Sequence, residues 1–180
     1  MAGLDTVPDA LAAQVRMLCM DVDGVLTDGR LYYGSEGEAY KVFDVLDGHG
    51  LVALRHAGYQ LAILSGRGGD KSGGRMVQRR AAELGIAEVH VELKDKRTVL
   101  LSMLERVDIR AEQVCYVGDD IPDIGPMQVV GLPLTVPAAP AQVQAVALAS
   151  TRAQGGRGAV REICDLLLAA RDGTGADAGS

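Results

Sequence analysis

The apolar run Met17-Leu18-Cys19-Met20 stops on Asp21-Val22-Asp23-Gly24, and that transition constrains the fold more than any other stretch of the chain. Aspartate is a poor strand residue. A run this hydrophobic that ends on two carboxylates therefore reads as a buried strand delivering charge to its own C-terminal end, where open α/β sheets bind their ligands. A chain with 16 aspartates produces an Asp-x-Asp triplet by chance, so it is position that carries the weight. A second apolar run, Cys115-Tyr116-Val117, ends the same way on Gly118-Asp119-Asp120, with Asp123 close behind. Two strand ends that each present carboxylates predict one shared site for a hard divalent cation with oxygen ligands, Mg²⁺. The alternative, a pair of solvated acidic turns, does not explain why the charges terminate two of the most hydrophobic runs.

Composition narrows the rest. At 180 residues and 48% hydrophobic the chain can bury one good core, so residues 1–171 read as a single domain and the small polar tail 172–180 as disordered. A net charge of −6 argues against nucleic acid or an anionic membrane surface as partner. No apolar run approaches the roughly 18–20 residues that a membrane-spanning helix needs. The first 16 residues have neither the basic end nor the apolar block of a secretory signal. Cys19, Cys115 and Cys164 are odd in number and lie among apolar residues, which predicts small core residues in a reducing cytoplasm. With one Phe and no Trp, the core is built from Val, Leu, Ile and Ala, which suits a parallel sheet covered by helices.

Strand and helix signals alternate along the chain. Strands are predicted over 15–22, 59–64, 87–91, 113–117, 132–136 and 149–151. Helices are predicted over 48–57 (capped by Asp47), 75–84, 95–106, 122–129, 141–147 and 159–170. Residues 31–43 alternate around a turn signal at 34–37 and read as a β-hairpin inserted after the first strand. The predicted fold is α/β, a doubly wound, Rossmann-like parallel sheet carrying that hairpin. The segment 68–74 is rich in glycine.

With these residues in view the sequence resembles the haloacid dehalogenase superfamily, the aspartate-nucleophile phosphatases. Asp21-Val22-Asp23-Gly24-Val25 matches the first motif and Ile63-Leu64-Ser65-Gly66-Arg67 the second; Lys96 fits the third, and Gly118-Asp119-Asp120 with Asp123 the fourth. The hairpin region 31–50 and the run Gly155-Gly156-Arg157-Gly158-Ala159-Val160-Arg161-Glu162 narrow the resemblance to the small-cap branch of the 3-deoxy-D-manno-octulosonate 8-phosphate phosphatases, over 17–168. The resemblance implies a cytoplasmic, Mg²⁺-dependent phosphoric monoester hydrolase of lipopolysaccharide biosynthesis. Its partner is a small sugar-acid phosphate, and its assembly a homotetramer whose hairpins pack together.

The resemblance also implies roles. Asp21 is the nucleophile that becomes an aspartyl-phosphate, and Asp23 protonates the leaving alcohol and then activates water. Ser65 binds a phosphoryl oxygen, and Lys96 offsets the charge of nucleophile and phosphoryl group. Lys96 is chosen over Lys94 because it lies 22 residues before Gly118, the spacing of the family's third motif. The metal is held by Asp21, Asp119 and the backbone carbonyl of Asp23, with Asp120 or Asp123 holding a metal-bound water. Substrate binding falls to Asp23, Asp44, Asp47, Gly48, Arg67, Arg80 and Lys96, with Arg79 competing for the role of Arg80. His49 reads as a pocket-wall or helix-start residue.

The chain departs from its relatives at three places. The segment 68–74 is longer, and Leu46 and Val52 stand where arginine is common. Those two lost cations leave a nine-carbon ulosonate 9-phosphate as the rival substrate. Rivals of another class are a phosphoaspartate receiver switch and an inactive accessory module. Against the receiver, the Asp-x-Asp-Gly follows the first strand and a hairpin interrupts the helix due next. Against the idle module stand the intact Asp21 and Asp23.

Overall fold

A computed structural model describes residues 1–68 and 72–176. Six parallel strands form the main sheet: β1 (Met17–Met20), β4 (Gln60–Leu64), β5 (Glu88–His90), β6 (Val114–Gly118), β7 (Leu132–Thr135) and β8 (Ala149–Ser150). Their order across the sheet is β5-β4-β1-β6-β7-β8. The chain winds outward from β1 to one edge, then returns to the centre and winds outward to the other. The reversal falls between β1 and β6, the position where doubly wound sheets open a crevice beyond the carboxyl ends of their strands.

Side chains of the central strands alternate between two apolar layers, as the two-residue strand period requires. Leu18, Met20, Cys115 and Val117 enter one layer with helices α1 (Asp9–Ala12), α2 (Val45–His56), α3 (Ser72–Leu84) and α7 (Ala159–Ala176). Met17, Cys19, Val114 and Tyr116 enter the other with α4 (Lys96–Val107), α5 (Ile124–Met127) and α6 (Ala141–Gln144). Truncating a fully buried member such as Leu18 or Leu51 to alanine costs about 2–5 kcal/mol. All three cysteines are free and buried in these layers.

The hairpin is present as an antiparallel pair, β2 (Tyr32–Gly34) and β3 (Gly37–Tyr40), with a bulge between Tyr32 and Tyr33. Most element boundaries differ from the sequence expectation by a few residues, and three differences matter. The second helix begins at Val45, because Asp44 and not Asp47 is its cap: the Asp44 carboxylate accepts from the N–H groups of Leu46 and Asp47. Helix α3 begins at Ser72 and takes Gly73 and Gly74 into its first turn. Residues 69–71 of the glycine-rich segment lie outside the described residues. Helix α7 continues to Ala176, so the first part of the tail expected to be disordered is helical, and 177–180 lie outside the described residues.

Candidate active site

Both acidic clusters leave their strands at the topological reversal. Asp21 follows β1 and keeps the sheet's register for one more step, its N–H donating to Val117 O at 3.1 Å. Gly24 then turns the chain at φ +91°, and a Cβ there would lie 2.0 Å from Asp119 Oδ2. A side chain at 24 is thus excluded by backbone conformation and by the approach of Asp119. Carboxylate oxygens of Asp21, Asp119 and Asp123 come within 4.8 Å of one another.

The three acids have different surroundings. Asp123 is fully buried and saturated. Its Oδ1 accepts from Lys96 Nζ and from the Tyr116 hydroxyl, both at 2.7 Å, and its Oδ2 from the backbone N–H groups of Asp119 and Asp120, both at 3.2 Å. Asp120 is exposed and caps the turn that follows by accepting from Ile121 N at 2.8 Å. Sequence alone does not separate these two acids, and the geometry does: Asp123 anchors its neighbours, while Asp120 closes a turn. Lys96 Nζ also lies 2.9 Å from Asp21 Oδ1, so one buried ammonium forms ion pairs with both acids.

Lys96 enters the cluster because Asp95 fixes the start of α4, accepting from Thr98 N at 3.1 Å. The first helical residue then points inward, and Lys94 stays exposed. Burial favours the neutral amine, but Asp21 and Asp123 outweigh it and hold Lys96 charged, its pKa raised. Burial, then the Asp123 charge, lifts the Asp21 carboxyl to about 6 against the pull of Lys96. Burial, then Asp21, Asp123 and Asp120, lifts Asp119 to about 8. Crowded carboxylates of this kind are relieved by protons or by a cation.

Among the described residues, Asp21 Oδ1, Asp23 Oδ2 and Asp119 Oδ1 are buried and accept no hydrogen bond. Buried carboxylate oxygens left without donors fit a hard cation, and an all-oxygen set suits Mg²⁺. The residues present therefore fit the ion, with Asp21 and Asp119 as the side chains that have oxygens to give and Asp123 already saturated.

Ser65 lies at the end of β4. Its N–H donates to His90 O, and its carbonyl accepts from Leu93 N after a turn through Glu92, which is left-handed at φ 59°. The hydroxyl is buried and donates to Arg67 O at 2.9 Å. Asp21, Asp23, Ser65, Arg67, Lys96 and Asp119 together wall a cleft of about 260 Å³. At Gly66 and Arg67 it meets a larger cavity of about 510 Å³, flanked by Tyr33 and Glu38 of the hairpin and by Arg75.

Asp44, Asp47, Gly48 and Arg80 gather elsewhere, around a narrow pocket under Phe43. Arg80 is the inward member of its pair: its guanidinium lies over Gly48, whereas the Arg79 side chain is 84% exposed. Asp47 is buried, and both its oxygens accept backbone N–H groups from the start of α7, Arg161 at 2.7 Å and Gly158 at 3.4 Å. Its carboxylate therefore fastens the start of α7 to α2. His49 is exposed on α2.

The chain is similar to curated 3-deoxy-D-manno-octulosonate 8-phosphate phosphatases. That of Yersinia pestis is 40% identical over 161 residues, 89% of this chain and 83% of that protein. That of Escherichia coli K12 is 41% identical over 162 residues, 90% of this chain and 84% of that protein. The chain belongs to this family. No family model matches it. Among solved structures, the phosphatase from Moraxella catarrhalis, crystallised with magnesium ion, phosphate ion and the sugar acid, superposes with a TM-score of 0.86 at 40% identity, over 93% of this chain and 94% of that one.

Family membership places the Gly-Gly-Arg-Gly run in context, and the structure gives its physical use. Gly156 N–H donates to Val25 O at 2.9 Å, and Gly155 packs against the Gly24 carbonyl so closely that a Cβ would stand 1.7 Å from it. The segment leading into α7 thus braces the turn that follows Asp21. Sequence reasoning missed one group outright. Lys41, just beyond β3, has a side chain only 3% exposed and pairs with Asp23 Oδ1 and, at 3.2 Å, with Glu38 Oε1. Glu38 in turn pairs with Arg67 at 3.5 Å. The available signal was the alternation around it: Tyr40 and Val42 face out, Lys41 and Phe43 turn in.

Proposed function

We propose that the protein is a cytoplasmic Mg²⁺-dependent phosphatase that hydrolyses 3-deoxy-D-manno-octulosonate 8-phosphate to the free sugar acid and inorganic phosphate. The observation that carries this reading is the set of buried carboxylate oxygens without donors, facing one another across the β1–β6 reversal beside a buried lysine. Asp21 and Asp119 would hold Mg²⁺ together with the Asp23 backbone carbonyl. When bound, the ion screens the approach of one anion to another and neutralises the charge crowded between the two acids.

The chain's own groups do the rest. Asp21 attacks phosphorus, and the ester P–O bond breaks as Asp23 gives a proton to the leaving oxygen. Asp23 then takes a proton from the water that attacks the aspartyl-phosphate, releasing phosphate and restoring Asp21. Lys96 holds positive charge beside the phosphoryl group, and Asp123 holds Lys96. The Ser65 hydroxyl exchanges its contact with Arg67 O for a phosphoryl oxygen, and Arg67, on both the cleft and the larger cavity, meets the sugar-acid end of the substrate.

The hairpin supports assembly as a homotetramer. Six of the ten large exposed apolar residues among those described fall between Leu31 and Leu46: Leu31, Tyr33, Tyr40, Val42, Val45 and Leu46. An apolar patch of that kind marks a protein contact. Tyr32 is not part of this patch: it is half-buried and donates to Asp28 Oδ2 at 3.0 Å. The buried free cysteines agree with a reducing compartment, and among the described residues no helix is long and apolar enough to cross a membrane.

The test is phosphate release from eight- and nine-carbon ulosonate phosphates with Mg²⁺ and with chelator, alongside Asp21→Asn. Activity on the eight-carbon ester that EDTA removes and Mg²⁺ restores is expected, with turnover of Asp21→Asn lower by orders of magnitude. Full activity in excess chelator, or an acyl-phosphate trapped on another residue, refutes the reading.

A further inference from the structure

We infer that Lys41 is a positioning residue for the proton transfers made by Asp23. The inference rests on the aspartyl-phosphate reading of the site and goes beyond it, because it assigns the hairpin a part in the chemistry.

The geometry is specific. Asp23 has two carboxylate oxygens in different surroundings. Oδ1 is paired with the Lys41 ammonium. Oδ2 is buried and, among the described residues, accepts no hydrogen bond. Lys41 therefore divides the labour of the carboxylate: one oxygen is clamped, and the other is left to exchange a proton with the leaving group or with water. Without the clamp, rotation about the Cβ–Cγ bond would interchange the two oxygens, and terminal torsions of this type are soft. Lys41 cannot drift, because its side chain is 3% exposed and Glu38 Oε1 holds the same ammonium at 3.2 Å. Glu38 also pairs with Arg67 at 3.5 Å, so the carboxylate that follows β1 and the arginine that follows β4 are bridged by two residues of the hairpin.

In the first half-reaction a bond forms from Asp21 to phosphorus, the ester P–O bond breaks, and the proton on Asp23 Oδ2 passes to the leaving oxygen. In the second half, the attacking water returns a proton to the same atom as the Asp21–phosphorus bond breaks. Lys41 takes no part in either bond change. It sets the position of the oxygen that does.

The test exploits the fact that a leaving group needs protonation in proportion to its basicity. Values of kcat/KM, which report the steps through expulsion of the leaving group, are measured for p-nitrophenyl, phenyl and glycerol phosphates with wild type and Lys41→Met. The expected loss is a few-fold on the p-nitrophenyl ester and grows along the series to on the order of a hundredfold on the alkyl ester, the low end of what general acid catalysis contributes. Lys41→Gln, which keeps a neutral donor for Oδ1, should show a shallower trend in the same direction, and carries the comparison if the methionine variant does not fold. An equal loss on all three esters means that Lys41 only supports the hairpin, and no loss means that it has no role; either overturns the inference. A wild-type enzyme that releases no phosphate from any of the esters, or from the sugar-acid phosphate, would instead overturn the functional reading beneath it.

Discussion

Asp123 has no direct contact with a reacting atom in the proposed chemistry, yet its replacement by asparagine should be among the most damaging single-atom changes available. The carboxylate accepts four hydrogen bonds at zero exposure, two on each oxygen, and one comes from an ammonium that is itself buried. An amide has one acceptor oxygen. Turned toward Lys96 and Tyr116, it sets its NH₂ against the backbone N–H groups of Asp119 and Asp120; turned the other way, it sets the NH₂ against Lys96 and the tyrosine hydroxyl. Either orientation loses two bonds to a charged acceptor, each worth about 1.5–3 kcal/mol. Breaking a buried ion pair at one partner costs about 3–5 kcal/mol. The two routes converge on a loss of about 3–5 kcal/mol, measured as a shift in the urea unfolding midpoint at constant slope. Tyr116→Phe removes one of the four donors and should cost about 1–2 kcal/mol. The turnover of folded Asp123→Asn should fall on the order of a hundredfold, the scale of losing one preorganised electrostatic contact, because either Lys96 or the Asp119 backbone loses its anchor and the charge that held Lys96 is gone in both orientations. A stability loss below about 1 kcal/mol would show that Asp21 alone suffices to hold Lys96 and that the four-bond arrangement is incidental.

Two further outcomes test other parts of the structure. Burial holds the Asp47 carboxyl at about 6, above its ordinary 3.8, even though it accepts N–H groups at the start of α7. Between these values the folded chain carries the extra proton, so the stability from neutral Asp47 is complete below about pH 4 and lost as pH rises through about 6; a shift of this size is about 3 kcal/mol. The stability difference between wild type and Asp47→Asn should change by that amount from pH 4 to pH 7.5, and parallel curves would refute the argument. For assembly, Tyr33→Ser with Tyr40→Ser should give smaller species by light scattering, with activity falling more on the sugar-acid phosphate than on p-nitrophenyl phosphate. A fully active monomer would refute the tetramer proposal.

The sheet and its reversal were legible because buried parallel strands announce themselves. The runs ending at Asp21 and Asp119 are too hydrophobic to be anything else, and acids at their ends have few structural uses. Lys96 over Lys94 was legible only through the resemblance; the structure supplies the physical reason, an Asp95 cap that sets which residue begins the helix. The role of Asp47 was misread for the converse reason. An aspartate ahead of an apolar run looks like a cap for the helix next in sequence, but in the structure Asp44, three residues earlier, takes that role. Asp47 does accept helix N–H groups, but those of a helix more than a hundred residues later. Local pattern identifies the chemistry a side chain performs and is silent on which distant partner receives it.

Lys41 marks the same boundary from the other side. A lysine in a hairpin of exposed tyrosines reads as a solvated charge that keeps an edge from pairing with another chain, and the alternation with Tyr40 and Val42 is a weak local signal against that reading. What decides it is the path of the hairpin over the mouth of the cleft, which brings residue 41 back to residue 23 across eighteen positions of sequence. The same excursion leaves Tyr33 and Tyr40 exposed. Since one short hairpin carries the tyrosines and leads into Lys41, a contact made on the tyrosines should also steady the ammonium against Asp23. Loss of the outer contact should therefore be felt in the proton-transfer step as well as in the size of the assembly, and most strongly on esters whose leaving groups need the proton.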